Sequence, residues 1–119
     1  MARNPVSHDQ ASYLDMFLEG QQAKYRGEAS VYYSQFPLKS GVPDRIASAS
    51  PQAKIVYVIR EPVSRAISHY WQRAKEFQEP LPLEDAVREN ALYRDTSDYE
   101  KQLDQYLKVF DRDQIHIIV

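Results

Sequence analysis

Apolar positions recur at two periods along this chain, and the change from one to the other marks its organisation. Residues 54–59, KIVYVI, are almost continuously apolar, aromatic or β-branched, the pattern of a strand covered on both faces as in a parallel sheet. From Pro62 the period lengthens. Val63, Ala66, Ile67, Tyr70, Trp71, Ala74 and Phe77 fall on one face of a helix of about four turns. The stripe predicts that Tyr70, Trp71 and Phe77 are core and not a platform for stacking bases. Further on, LPLEDAVREN predicts a short helix. Ser97 with Glu100 predicts the cap of another, whose inward face is Tyr99, Leu103, Tyr106, Leu107 and Phe110. The chain ends on IHIIV, a second buried strand by the same pattern. Strand, helices and strand in that order predict a right-handed crossover in an α/β sheet.

The N-terminal third is less regular. Ser7 and Gln10 are spaced for a capping box, and Ala11, Leu14 and Leu18 with Tyr13 and Phe17 give a helical stripe that Gly20 can end. KYRGEASVYY places Gly27 inside an aromatic and β-branched stretch, which predicts a short strand passing close to another group. A loop through Pro37 and Gly41 follows. Pro43 then stands near the first position of a helix that Pro51 stops. No repeat, low-complexity tract or linker divides the 119 residues, so they are expected to form one domain or part of one.

Composition narrows the chemistry. The chain has no cysteine, which excludes disulfides, thiolate metal sites and a cysteine nucleophile, and His8, His69 and His116 are too far apart for a zinc motif. No run of about 18 apolar residues is present and the first ten residues lack a secretory core, so a cytoplasmic chain with no membrane anchor is expected. The net charge of −2 hides an asymmetry. Lys54, Arg60, Arg65, Arg73 and Lys75 face a single acid, Glu61, over residues 54–75, whereas acids dominate from Glu76 onward. The middle suits an anion; the acidic total argues against a nucleic-acid partner.

The place where the two periods meet is therefore the candidate site. Ligands of open α/β sheets lie beyond the carboxyl ends of the strands, where the next helix offers free N–H groups. Arg60 stands at such an end, and a guanidinium can hold a phosphate by paired hydrogen bonds. Pro62 fits the first turn without loss of a hydrogen bond, and Ser68, off the apolar stripe, leans back toward whatever Arg60 holds. A plainer reading also stands: Arg60 pairs with a carboxylate, Glu61 caps the helix, and Ser64 and Ser68 are solvated. Arg65 and Arg73 form either a basic rim for an anionic acceptor or a solvated surface, and His69 either approaches a substrate or is partly exposed.

YVIREPVSRAISHYW resembles the 3′-phosphate-binding segment of sulfotransferases that use 3′-phosphoadenosine 5′-phosphosulfate (PAPS): a strand ending in Arg, an acid and Pro, then a helix with Arg and Ser. The eight-residue step from Arg60 to Ser68 matches. GEAS followed by YY, then VPDRIASASPQAKIVYVIREP, and finally YEKQLDQYLKVFDRDQIHIIV resemble the family's flanking segments in order and spacing, so that the likeness runs from about Ala11 to Val119. It is closest to bacterial and carbohydrate-type members. The resemblance implies an α/β chain that is part of a P-loop-like three-layer fold with a central parallel sheet between helices. It also implies PAPS as cofactor, 3′-phosphoadenosine 5′-phosphate (PAP) as its product, and Arg60 and Ser68 as ligands of the 3′-phosphate. The acceptor is expected to be a small molecule or carbohydrate, carrying a hydroxyl or amine.

The family's loop of glycines and lysine before Gly-Thr-Thr, which holds the 5′-phosphosulfate, has no counterpart here: Gly20, Gly27 and Gly41 lie elsewhere. The chain therefore resembles the central part of a sulfotransferase, inactive by itself. A sheet lacking its first strand would leave an exposed edge open to self-association. The catalytic base is unassigned. Glu28 in GEAS is either a group orienting the acceptor or a catalytic lysine, or a structural carboxylate, and Ala29 stands where some carbohydrate-type members have Lys. Two other functions remain open, a non-catalytic module binding PAP or a partner, and a different α/β nucleotide enzyme.

Overall fold

A computed structural model describes residues 10–119, which fall into two compact units, the first ending at Ser30 and the second running Val31–Val119. The Ser7 half of the expected capping box lies outside the described residues. In the first unit, α1 spans Gln10–Asp15 and a single 3-10 turn, Leu18–Gly20, follows. The helix stops well before Gly20 because its stripe has little to bury against: Leu14, Met16 and Leu18 are exposed, and a helix this short needs packing to persist. Tyr13 is the exception, edge-on to Phe17 at 5.4 Å.

The second unit carries α2 (Val42–Ala49), β1 (Ile55–Val58), α3 (Pro62–Lys75), α4 (Leu83–Glu89), α5 (Ala91–Ser97), α6 (Tyr99–Leu107) and β2 (Ile115–Ile118). Both predicted strands exist and pair in parallel, Ile55 opposite Ile115 through Val58 opposite Ile118. The class is α/β, as expected. The expected strand around Gly27 does not form. Val31–Ser34 is a 3-10 turn, and a Cβ at Gly27 would meet nothing within 4 Å, so no close approach required the glycine. β-Branched and aromatic residues favour a strand only where a pleated neighbour receives them, and none is present there among the described residues.

Gly41 does meet a backbone demand. It caps α2 from the left-handed region at φ 69°, with Pro43 in the first turn behind it.

Val42, Tyr106, Phe110 and Ile115 form one core, with Ile55 and Leu103 packed against it. α6 also anchors the irregular segment before α2 through polar groups that periodicity did not mark. Gln102, 2 % exposed, donates to the Phe36 carbonyl and accepts from the Phe36 N–H, both at 2.8 Å, and also donates to the Asp95 carbonyl at 2.9 Å. Tyr106 donates to the Tyr33 carbonyl at 2.7 Å. The two bonds to Phe36 satisfy backbone groups that lie outside any helix or strand.

Tyr70, Ala86 and Tyr93 form a second core among α3, α4 and α5. The α3 stripe is only half used. Tyr70 is buried with Ala66 and Ala74 beside it, but Trp71 is 54 % exposed and Val63 and Ile67 are exposed too. Phe77 is not in the helix at all: it follows the end of α3 at φ 56°, 97 % exposed. The sheet shows the same one-sidedness. Val56, Val58, His116 and Ile118 share one face by register, and all four are exposed, so β1 is covered on one face instead of two. β2 is buried only at Ile115.

Replacing Gln102 by Leu should leave the Phe36 N–H and carbonyl without partners and cost about 3 kcal/mol in urea denaturation. Phe77→Gly should raise stability by about 0.5–1 kcal/mol, because the left-handed conformation then carries no side-chain penalty. A loss of stability in that variant would mean that the exposed ring makes a contact.

Candidate functional site at the end of the first strand

Ile59 donates to the Ile118 carbonyl at 2.8 Å, the last rung between the strands, and Arg60 is the first residue beyond it. Its backbone is satisfied from another direction. The Tyr99 hydroxyl donates to the Arg60 carbonyl at 2.8 Å and accepts from the Arg60 N–H at 3.4 Å. Tyr99 sits at the start of α6, and its ring meets Tyr57 of β1 edge-on at 5.8 Å.

Glu61 then closes the helix end. Its carboxylate accepts from the N–H groups of Val63 at 2.8 Å and Ser64 at 2.7 Å, as an N-cap residue does. Ser64, through its hydroxyl and its N–H, and then the Val63 N–H hold the Glu61 carboxyl below its ordinary value. This part of the plainer reading is correct. The donors expected to face a ligand are occupied, and a fixed negative charge already answers the helix dipole.

Among the described residues, Arg60 is not paired with a carboxylate. The ion pairs among the described residues are Arg88 with Asp85 and Lys101 with Asp95. The Arg60 guanidinium donates to the Ser64 carbonyl at 2.9 Å and is exposed, leaving its other donors open. Ser68 is exposed one turn further, about 6 Å along α3, on the side that leans back toward Arg60. An anion held here is therefore held by side chains along the flank of α3, not by the helix terminus. The two residues expected to act together share that flank.

His69 is partly exposed, as the plainer reading has it, and Arg65 and Arg73 are partly buried. Arg65 is half-buried; it donates to His69 Nδ1 from Nη2 at 3.1 Å and from Nη1 at 3.4 Å, and Nη1 also reaches the Ser97 hydroxyl at 3.4 Å. Accepting at Nδ1 leaves the proton of a neutral imidazole on Nε2. Burial, then the charges of Arg65 and Arg73, push His69 down to about 4. Its ring stands edge-on to Tyr93 at 5.1 Å, and the Tyr93 hydroxyl donates to Glu79 at 2.7 Å. Arg73 is tied to Gln78 through the backbone carbonyl at 3.1 Å. Residues at i and i+4 on a helix are the only sign of the Arg65 and His69 pair that the sequence carries. Ser97 gave the wrong sign, since Asp98 is the cap of α6 and Ser97 ends α5.

Glu28 belongs to the first unit, where Tyr13 donates to it at 3.0 Å. Burial, then this bond, push the Tyr13 hydroxyl up to about 12, so it remains a donor at any neutral pH. Among the described residues no cluster of His, Asp and Glu is arranged to hold a metal ion, and no helix is long and apolar enough to cross a membrane.

A family model described as the sulfotransferase family matches residues 2–118. Heparan sulfate glucosamine 3-O-sulfotransferase 5 of Mus musculus is 36% identical over 89 residues, covering 65% of this chain and 26% of that protein. The Homo sapiens protein of the same name is 35% identical over the same length. The crystal structure of a sulfotransferase from Alicyclobacillus acidocaldarius matches with a TM-score of 0.67 and 32% identity over 93% of this chain and 48% of that one. The chain thus spans about a quarter of the length of these curated relatives and about half of the solved one.

Unfolding returns His69 to its ordinary 6.5, so below that pH the unfolded chain takes up a proton that the folded chain refuses until about 4. Stability is then full above pH 6.5 and falls as pH drops toward about 4. Thermal unfolding at about pH 7 and about pH 5 should show this loss, and His69→Asn should reduce it. An unchanged slope in the variant would argue against a buried neutral imidazole.

Proposed function

The chain belongs to the sulfotransferase family, and on that premise we propose that it is the central part of a PAPS-dependent enzyme in which Arg60 and Ser68 hold the 3′-phosphate of the cofactor. The observation that carries this reading is the exposed Arg60 guanidinium. It has no carboxylate partner among the described residues and shares the flank of α3 with the exposed Ser68. A phosphate beside Arg60 would receive paired, charge-assisted hydrogen bonds from the guanidinium and one from the serine hydroxyl. Glu61 does not repel it strongly, because its carboxylate is directed into the helix end.

These residues fit one end of the cofactor. The 3′-phosphate distinguishes PAPS and PAP from ATP and adenosine monophosphate (AMP), so Arg60 and Ser68 select and orient the donor without touching the reacting sulfur. PAPS, when bound, supplies an activated sulfuryl group. Such transfers depend on positioning and on stabilising charge at the reacting centre. The chain contributes positioning, and we assign none of its residues to the charge that develops at the sulfur. Low activity from these residues alone follows, with PAP binding retained.

A carbohydrate acceptor is the reading that the named relatives favour, since their names specify the glucosamine of heparan sulfate. The proton of the acceptor is not assigned to Glu28, which is engaged by Tyr13.

Calorimetric titration of the folded chain should show PAP bound in preference to AMP. Arg60→Ala should weaken PAP by about a hundredfold and Ser68→Ala by about tenfold. A folded chain that makes no distinction between PAP and AMP would remove the basis for a 3′-phosphate site.

A further inference from the structure

Arg60 and Ser68 can serve one phosphate only if the strand end and the helix keep a fixed relation. α3 meets α5 through the rings of His69 and Tyr70, each edge-on to Tyr93, with the small Ala66 and Ala74 beside them, and Trp71 stands edge-on to Tyr70, while Val63 and Ile67 are exposed. A rotation of α3 about its axis would carry Ser68 away from Arg60.

Polar groups constrain this motion, and they converge on three consecutive residues between α5 and α6. Tyr99 clasps both backbone groups of Arg60 through its hydroxyl, at 2.8 and 3.4 Å. Ser97 accepts from Arg65 at 3.4 Å, and Arg65 in turn grips His69, the neighbour of Ser68, at 3.1 Å. Between them, Asp98 closes the corner itself: its N–H donates to the Arg94 carbonyl at 3.0 Å and its carboxylate accepts from the Lys101 N–H at 3.1 Å. One arm of the corner thus reaches the residue that would carry the guanidinium, and the other reaches the turn that carries the serine.

We infer that Tyr99, Arg65 and His69 are positioning residues for the phosphate half-site, referring Arg60 and Ser68 to the common corner Ser97–Asp98–Tyr99. The inference rests on the 3′-phosphate reading above. None of the three touches the phosphate in this arrangement; each acts through Arg60 or through the turn around Ser68. His69 is suited to the task as a neutral acceptor, since a charged ring could not accept from Arg65.

PAP titration by calorimetry on the folded full chain tests this with five variants, each checked by circular dichroism and urea midpoint. Tyr99→Phe keeps the ring and removes the clasp, and should weaken PAP by about tenfold. In an Arg60→Ala background the same substitution should have no further effect, because its influence passes through Arg60. His69→Phe should also weaken PAP, whereas His69→Asn, whose carbonyl oxygen can stand near the position of Nδ1, should restore it. A general loss of stability would not produce either the vanishing effect or the rescue. If wild type binds PAP and loses it on Arg60→Ala, but Tyr99→Phe adds independently or His69→Phe binds normally, the positioning inference is overturned and the half-site stands. If folded wild type binds no PAP, both fall. Should Tyr99→Phe not fold, the His69 pair decides the matter.

Discussion

The parallel pairing of Ile55–Val58 with Ile115–Ile118 is the constraint from which the rest of the second unit hangs. A parallel pair cannot be closed by a tight turn, so the whole of α3, α4, α5 and α6 is the connection between its strands. Its last rung, Ile59 to Ile118, decides where the sheet stops and therefore where Arg60 stands. Beyond that rung the backbone of Arg60 would lack partners, and the Tyr99 hydroxyl supplies them from the far end of the crossover. The same connection that pairs the strands thus returns to seal the strand end.

Polar satisfaction explains the chemistry of the junction better than the helix dipole does. A free helix terminus would attract an anion, but Glu61 takes its two leading N–H groups. Arg60 is exposed, and the bond from its guanidinium to the Ser64 carbonyl lays it along α3. Arg65 is the contrasting case. Half-buried, it directs its donors to His69 and Ser97. Two arginines of one short motif thus stand in different surroundings, one exposed and one half-buried.

Periodicity succeeded where a pattern depends on the chain's immediate neighbours. The strand at Ile55, the helix from Pro62 and the strand at Ile115 all appear within a residue or two of their expected limits. It failed where burial had to be inferred. Tyr70 and Trp71 are adjacent on one stripe, yet only Tyr70 is buried, because α5 reaches just one side of α3. Gln102 is buried and looked like a surface residue, because its partner, the backbone of Phe36, belongs to an irregular segment with no pattern. At the junction, the places of Arg60 beyond the strand and of Ser68 on the helix were legible by spacing. The Tyr99 clasp was not, since a tyrosine on an apolar stripe does not announce what its hydroxyl will reach.

The sequence by itself determined the two strands, the helices of the connection between them, and the position of Arg60 just beyond the first strand. Each follows from local sterics, from hydrogen bonds within a turn, or from helical spacing, which act over a few residues. Only the tertiary structure decided that Arg60 has no carboxylate partner among the described residues, that His69 is a neutral acceptor for Arg65, and that residues 97–99 hold both ends of the junction. Those outcomes depend on which distant group comes within hydrogen-bonding reach and on how much water is displaced there, and neither quantity is encoded in the order of residues along one segment.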